Sequence, residues 1–221
     1  MKTTIRGSRK VRADPIRRKL PLRPSHLQAF LYKALHSQCY DDLLFVTILS
    51  CTFYACHRIG ELVPASGPLF DWQKIIKRDT LIFADGRALY RLPFHKGNSF
   101  FQGSDILLTS QTIANPVLLL RLYTQLRDHL HGAQSPLLLR ENGHHPSRAW
   151  FDKRFFTLLN HSYGGKSVWA GGATFYASLG ISEDVLQAIG RWSSSAWKIY
   201  IWDYPAIRVE LQLALLRHHH L

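Results

Sequence analysis

The sequence predicts a mainly α-helical protein with one small, three-stranded antiparallel β-sheet. Two observations favour this fold class. Apolar residues recur at helical spacing in several segments that begin at Pro, Ser or Asn and end near Gly. Between residues 79 and 109 the pattern changes to short β-branched and aromatic runs around an Asp-Gly turn signal. At 221 residues, 46% of them apolar, the chain is long enough to bury a packed core.

The first elements are two helices. Pro24 suits the first turn of a helix that runs to about residue 36, and its apolar positions form one face: Leu27, Phe30, Leu31, Ala34 and Leu35. Residues 43–54 are apolar nearly all round, which predicts a helix buried in the centre of the domain. Gly60 follows within a turn, so we expect Arg58 at the C-terminal end of this helix. A cation is unfavourable there unless it faces a cleft that receives an anion.

The remaining elements follow from turn and capping signals. Three strands are predicted at residues 80–83, 88–93 and 105–109, the first two joined by Asp85-Gly86. Asn115-Pro116 begins a helix that runs through about residue 131 and ends at Gly132. Five more helices are expected: one from Pro146-Ser147, then 173–179, 183–189, a short one from Ser193 that carries Tyr200, and one from Pro205 to about residue 217.

The charge of the chain indicates a polyanionic partner. Lys and Arg number 28 against 15 Asp and Glu, a net charge of +13, and residues 1–23 contribute +8 of it. We therefore divide the chain into a basic arm, residues 1–22, and a domain, residues 23–221. The arm is open to three interpretations: a solvated tail, a nuclear-address signal, or a segment that wraps DNA. Its candidate DNA-binding residues are Arg9, Lys10, Arg12, Arg17, Arg18 and Lys19.

Several classes of protein are not indicated. The three cysteines, Cys39, Cys51 and Cys56, lack CxxC spacing, so we interpret them as reduced core residues and expect neither a disulfide framework nor a metal site. No stretch reaches the ~18 to 20 apolar residues of a membrane span, and no secretory signal is present. We expect a nuclear protein, or a cytoplasmic one if the host is prokaryotic. The HHH at 218–220 reads as a solvated terminal run, with a metal-binding tract or a cloning residue as alternatives.

Five ordered segments carry a resemblance to a known family: HRIGEL, LPFHKG, GGATFYASLGIS, LQAIGRWSS and KIYI. In this order they resemble the catalytic domain of tyrosine recombinases, especially the fungal branch related to mobile DNA elements. The resemblance covers residues from about 20 to 210. It implies the catalytic-domain fold, duplex DNA as partner, and strand breaking and rejoining without cofactor or metal. Typical members carry a separate N-terminal helical domain, and here we expect only the basic arm before the catalytic fold.

The resemblance also implies roles for individual residues. Tyr200 matches the nucleophile that forms a 3′-phosphotyrosyl link, which conserves the bond energy. Arg58 matches the first arginine, whose planar fork grips two phosphate oxygens, and Glu61 supports it. Lys96 matches the general acid that protonates the leaving 5′ oxygen. Trp192 stands where members carry His or Trp, a donor that can reach the phosphate.

The segment GKSVWAGGAT departs from the family pattern, G-His-Ser-x-Arg-x-Gly-Gly-Ala-Thr. Lys166 stands at the histidine position, which retains a donor and a cation and occurs within the wider family. Trp169 stands at the second arginine, and one neutral indole N–H cannot replace a bidentate guanidinium. Lys166 and Arg191 are the nearest other cations that could supply the second clamp. Trp202 also stands where the fungal relatives tend to have Arg, which suggests a decayed mobile-element copy or an introduced variant.

Each assignment has a structural alternative. Arg58 can serve as an ion-pair partner of Glu61, Lys96 as an exposed loop charge, and Tyr200 and Trp192 as packed aromatic residues. Three functions therefore stay in view: a recombination or integration enzyme, a catalytically silent DNA-binding derivative, and an unrelated helical nucleic-acid-binding module. The family also implies homo-oligomers that exchange a C-terminal segment. The helix from Pro205 offers apolar residues for exchange or for packing within one chain: Val209, Leu211, Leu213, Leu215 and Leu216.

Overall fold

The computed structural model describes residues 19–65, 70–95, 102–193 and 197–198. Within these ranges the chain forms a mainly helical fold with one small antiparallel sheet, as the sequence predicts. The described helices are α1 (Pro24–Ser37), α2 (Tyr40–Tyr54), α3 (Ile59–Leu62), α4 (Pro116–His131), α5 (Arg148–Phe155), α6 (Gly165–Ser178) and α7 (Glu183–Gly190). The strands are β1 (Ile82–Ala84), β2 (Arg87–Leu92) and β3 (Ser104–Thr109).

Helix α2 lies at the centre of the fold and is buried along nearly its whole length. It packs against α1, α4 and α6, so its all-round apolar sequence has partners on every side. Its start is fixed by Asp41, whose carboxylate accepts hydrogen bonds from the Trp150 indole at 3.1 Å and from the Glu141 backbone N–H at 2.9 Å. This carboxylate also pairs with Arg154 on α5, at 3.3 Å. The predicted central helix is thus confirmed.

The sheet has the order β1-β2-β3, with both pairs antiparallel. Asp85 and Gly86 form the turn between β1 and β2 and have φ angles of 30° and 72°, which explains the Asp-Gly pair. Alternate residues of β2 and β3 are buried, among them Tyr90 and Ile106. The three predicted strands are confirmed within two residues at each end.

Two predicted positions are wrong, and the first is that of Arg58. Helix α2 ends at Tyr54, and Cys56 adopts a left-handed conformation with φ 49°. The backbone N–H of His57 then donates to the Thr52 carbonyl at 2.9 Å, the bond that closes a Schellman motif. Arg58 is therefore the residue before α3 and not the last turn of α2. The prediction was wrong because Cys56 occupies the left-handed position after the helix, where glycine is the usual residue.

The second wrong position is the start of α6, predicted at residue 173. The helix begins at Gly165, after Gly164 donates its backbone N–H to the Ser167 hydroxyl at 3.0 Å. Lys166 and Trp169 therefore lie on a helix. The internal glycines are required by packing, since a Cβ on Gly172 would stand 1.9 Å from the Phe53 carbonyl oxygen. This close contact between α6 and the end of α2 positions the turn that leads to Arg58.

Candidate functional site

The site centres on Arg58, which precedes α3. Its Nη1 donates to Glu61 Oε1 at 3.3 Å, and its backbone N–H donates to Glu61 Oε2 at 3.3 Å. The Arg58 side chain is 37% exposed, whereas that of Glu61 is 6% exposed. A buried carboxylate therefore anchors one end of a guanidinium that reaches solvent. The predicted pairing of these two residues is present.

Glu61 Oε2 is an acceptor for further donors. Besides the Arg58 backbone, it lies 2.9 Å from His57 Nδ1 and 3.1 Å from Arg191 Nη2. Burial alone would raise the pKa of Glu61, but the hydrogen bond from His57 and the charges of Arg191 and Arg58 outweigh burial and lower the pKa to about 2. Glu61 is therefore ionised at neutral pH.

His57 lies beneath this carboxylate and is fully buried. Its Nε2 is 2.5 Å from the hydroxyl of Tyr90, which is also buried. Burial lowers the pKa of His57 to about 4, so the ring is neutral and carries one proton. With the proton on Nδ1, the ring donates to Glu61 Oε2 and accepts from Tyr90 at Nε2. With the proton on Nε2, the ring donates to Tyr90 and accepts at Nδ1 from Arg191 Nη2, which lies 2.9 Å away. We refer to Arg58, Glu61, Arg191, His57 and Tyr90 as the Glu61 network.

Arg191 joins this network from the end of α7, where its backbone is left-handed with φ 53°. Its Nη1 donates to the carbonyl oxygens of Ala55 at 3.3 Å and Ile189 at 3.0 Å, and its side chain is 12% exposed. Arg191 thereby ties the end of α7 to the end of α2. Arg191 thus lies beside Glu61 with most of its guanidinium buried, and its supporting role stays a prediction.

Three of the tryptophans, Trp169, Trp192 and Trp197, form an apolar cluster with Cys56, which lies in the turn before Arg58. The ring centroids of Trp169 and Trp192 are 5.4 Å apart, and Trp192 stacks on Trp197 at 5.1 Å. Trp169 and Trp192 are 8% and 7% exposed, and Cys56 belongs to the same cluster. A Cβ on Gly190 would stand 2.3 Å from the Trp192 ring, so the tight packing extends to the end of α7. The position expected for a second arginine is thus part of a buried aromatic cluster.

Lys166 lies one turn before Trp169 on α6 and is exposed. Its ammonium makes no ion pair within the described part of the chain. Lys96 and Tyr200 lie outside the described residues. The neighbour of Lys96, His95, is buried, lies 3.0 Å from the Ser104 hydroxyl, and has its pKa lowered chiefly by burial and next by the charge of Arg191. The charge of Arg58 also acts on His95, so the last described residue before Lys96 lies near the Glu61 network.

Of the predicted arm residues, only Lys19 is described, and its ammonium donates to the His161 carbonyl. Residues 20 and 22 pair with the segment around the start of α6: the Leu22 N–H donates to the Ser167 carbonyl at 2.8 Å. The other arm candidates and the residues from 199 onward, including Trp202 and the predicted helix from Pro205, lie outside the described residues.

The sequence interpretation missed His57, Tyr90 and His95. The spacing of His57 and Glu61, four residues apart, was a signal for the first, since an i,i+4 pair can share a hydrogen bond. Nothing local identified Tyr90, which is 33 residues from its histidine partner.

The described residues contain no group of three or more His, Cys, Asp or Glu placed to hold a metal ion. All three cysteines are free, and burial raises the pKa of the Cys56 thiol to about 12. None of the helices in the described ranges is long and apolar enough to cross a membrane.

Comparison with known proteins supports the fold. No protein-family model matches the chain, and no curated protein does. Among solved structures, it is similar to the XerH site-specific recombinase bound to a palindromic difH substrate in a post-cleavage complex, with a TM-score of 0.61 and 12% identity over 90% of this chain. The chain spans 54% of that recombinase. The protein therefore has the fold of a tyrosine recombinase catalytic domain.

Proposed function

We propose that this protein binds duplex DNA and breaks and rejoins it through Tyr200, at a rate limited by Trp169. The observation that carries this proposal is the half-exposed Arg58, held from beneath by the buried Glu61. Such an arginine presents a preorganised cation to an anion at the surface. A solved protein of similar fold was captured with cleaved DNA, and the five ordered segments match the same class.

The chemistry assigned to the site is a transesterification at one phosphodiester. The Tyr200 hydroxyl loses its proton to solvent as its oxygen attacks phosphorus to form the 3′-phosphotyrosyl bond, while the bond from phosphorus to the 5′ oxygen breaks. Lys96 delivers a proton to that leaving oxygen. Arg58 stabilises the negative charge that develops on the non-bridging oxygens. In reverse, a 5′ hydroxyl attacks the phosphotyrosine and rejoins the strand.

The rate is limited because a tryptophan replaces the second phosphate-binding arginine. Trp169 is buried against Trp192, so a neutral indole occupies the helix position expected to carry an arginine. Arg191 does not compensate, because both of its terminal nitrogens are engaged by Glu61 and by backbone carbonyls. Loss of one charged donor reduces such rates by roughly 10²- to 10³-fold. Lys166 is the exposed cation that remains on α6 to support the phosphate.

A second candidate function is a catalytically silent DNA-binding protein that retains the fold. The buried tryptophan cluster favours it, because the cluster gives Trp169 a structural role that does not need catalysis. Either function would place the protein with DNA, in a nucleus or in a prokaryotic cytoplasm. Mobility of a DNA element and integration belong to the first candidate only, whereas assembly through the segment after Pro205 is compatible with both.

The two candidates are separated by incubating the protein with a pool of nicked suicide duplexes and looking for a covalent protein–DNA species on denaturing gels. We expect a weak adduct from the natural chain, a stronger one from Trp169→Arg, and a further increase with Lys166→His. Tyr200→Phe in the same background should abolish the adduct and leave DNA affinity nearly unchanged. Binding without any adduct in the Trp169→Arg chain would favour the silent protein.

A further inference from the structure

We propose that His57 and Tyr90 are positioning residues that orient the Arg58 guanidinium through Glu61. This inference rests on the proposed function, since it gives Arg58 the task of holding a DNA phosphate. Neither residue can touch DNA itself, because both are buried. Their effect must therefore pass through the residue that links them to the surface.

The contacts form a continuous chain from the sheet to the surface. The hydroxyl of Tyr90, on β2, lies 2.5 Å from His57 Nε2. His57 Nδ1 lies 2.9 Å from both Glu61 Oε2 and Arg191 Nη2. Glu61 Oε1 accepts from Arg58 Nη1 at 3.3 Å. Of the residues in this series of contacts, only Arg58 is substantially exposed.

The two carboxylate oxygens of Glu61 contact different groups. Oε2 faces His57, Arg191 and the Arg58 backbone N–H, whereas Oε1 faces the Arg58 guanidinium. The terminal torsion of a glutamate is broad, so a carboxylate keeps one orientation only where its oxygens are held. The donors on Oε2 fix the plane of the group. Oε1 is thereby aimed at Arg58.

Tyr90 holds the His57 ring in place beside Glu61. With its proton on Nδ1, the ring donates to Glu61 Oε2 and accepts from the Tyr90 hydroxyl at Nε2. With its proton on Nε2, the ring donates to the Tyr90 hydroxyl and accepts at Nδ1 from Arg191 Nη2, 2.9 Å away, which itself donates to Glu61 Oε2. In both tautomers the phenol on the sheet binds Nε2, and Nδ1 contacts the groups that orient Glu61.

The same contact joins the sheet to the turn that bears Arg58. Tyr90 lies on β2, and its partner His57 lies between α2 and α3. The strand thereby helps to fix this turn relative to the carboxylate that binds Arg58.

The first test uses the free protein. Nitrogen-15 NMR of the His57 ring should show a single tautomer in the natural chain and a mixture of the two in Tyr90→Phe. Relaxation of the Arg58 Nε–H group should report a less ordered side chain in His57→Leu. His57→Asn should restore that order, because its amide group can take the position of Nδ1 beside Glu61 Oε2 and Arg191 Nη2. A matched control is Tyr123→Phe, a buried tyrosine whose hydroxyl bonds the Leu139 backbone at 2.9 Å, away from the network. It should lower stability and leave Arg58 unchanged.

The second test is a double-mutant cycle on duplex DNA affinity. Tyr90→Phe should weaken binding roughly three- to tenfold in the natural chain and have no effect in Arg58→Ala. An equal loss in both backgrounds, or an Arg58 side chain equally ordered in His57→Leu, would overturn the positioning role. If Arg58→Ala leaves affinity and adduct formation unchanged, Arg58 does not hold the phosphate and the proposed function fails, while the NMR result still decides whether His57 and Tyr90 orient Arg58.

Discussion

Substitution of Glu61 by Gln is the sharpest perturbation of the site, because it keeps the shape of the side chain and removes its charge. In the natural chain this carboxylate binds Arg58, Arg191 and His57. After the substitution, Arg58 can be hydrated since it is 37% exposed. Arg191 is 12% exposed and keeps only uncharged partners, which are the two backbone carbonyls and His57 Nδ1. Most of the loss should therefore come from Arg191.

The magnitude follows from the pKa of Glu61. Burial would raise this pKa, yet His57, Arg191 and Arg58 together lower it from 4.5 to about 2. Linkage converts this difference into about 3 kcal/mol of folding stability at neutral pH. Removal of one member of a buried ion pair typically destabilises a protein by about 3 to 5 kcal/mol. We expect Glu61→Gln to lower the free energy of unfolding by about 3 kcal/mol.

The lowered pKa of Glu61 also determines how folding stability depends on pH. A carboxyl group with a depressed folded-state pKa stabilises the protein above its unfolded pKa, and this contribution is lost as pH falls. The gap between the natural chain and Glu61→Gln should therefore be full above about pH 5 and should close toward pH 2.

The assay is urea unfolding followed by tryptophan fluorescence at pH 7 and pH 3. Asp105→Asn is the matched control, because its pair with Arg91 is exposed on both sides and should contribute less than about 1 kcal/mol. A Glu61→Gln variant within 1 kcal/mol of the natural chain at pH 7, or a gap that does not narrow in acid, would refute the central role of Glu61.

Four further predictions concern packing, acid stability, DNA binding and chemistry. Gly172→Ala should cost more than about 2 kcal/mol in urea unfolding, since its Cβ would meet the Phe53 carbonyl, whereas Gly60→Ala, with nothing within 4 Å, should be nearly neutral. Burial lowers the pKa of His57 from 6.5 to about 4, so stability should fall as pH drops through this range, and His57→Asn should flatten that part of the curve. Duplex affinity should fall steeply between about 50 and 200 mM salt, and deletion of residues 1–18 should reduce the salt slope; a slope unaffected by the deletion would exclude the arm from binding. Trp169→Arg should raise adduct formation by at least about tenfold, scored on denaturing gels against Trp169→Phe, which restores no charge.

Local signals predicted the parts of the fold that depend on local chemistry. Helix α4 begins and ends where the sequence indicates, because the Asn115 side chain accepts from the Val117 N–H at 3.0 Å and Gly132 terminates the helix with φ 56°. The placement of Arg58 at the end of α2 and the start of α6 were wrong because contacts between distant parts of the chain decide them. Cys56 holds a left-handed backbone at a cost of about 1 kcal/mol, and Gly172 serves packing inside a helix.

The site was predictable to a similar degree. The pairing of Arg58 and Glu61 follows from their spacing of three residues, and it is present. The partnership of His57 with Tyr90 depends on how β2 packs against the turn between α2 and α3, which no local pattern encodes. Arg191 was identified as a supporting residue, but its inward guanidinium follows from the left-handed backbone at the end of α7. The roles of Lys96 and Tyr200 remain predictions from the resemblance.

The most direct measurement of the proposed function is mass-spectrometric mapping of the covalent protein–DNA species formed by the Trp169→Arg chain. We expect a single modified peptide, with the 3′ phosphate of the cleaved strand attached to Tyr200. Attachment at another residue, or no covalent species from a chain that demonstrably binds the duplex, would contradict DNA breakage through Tyr200.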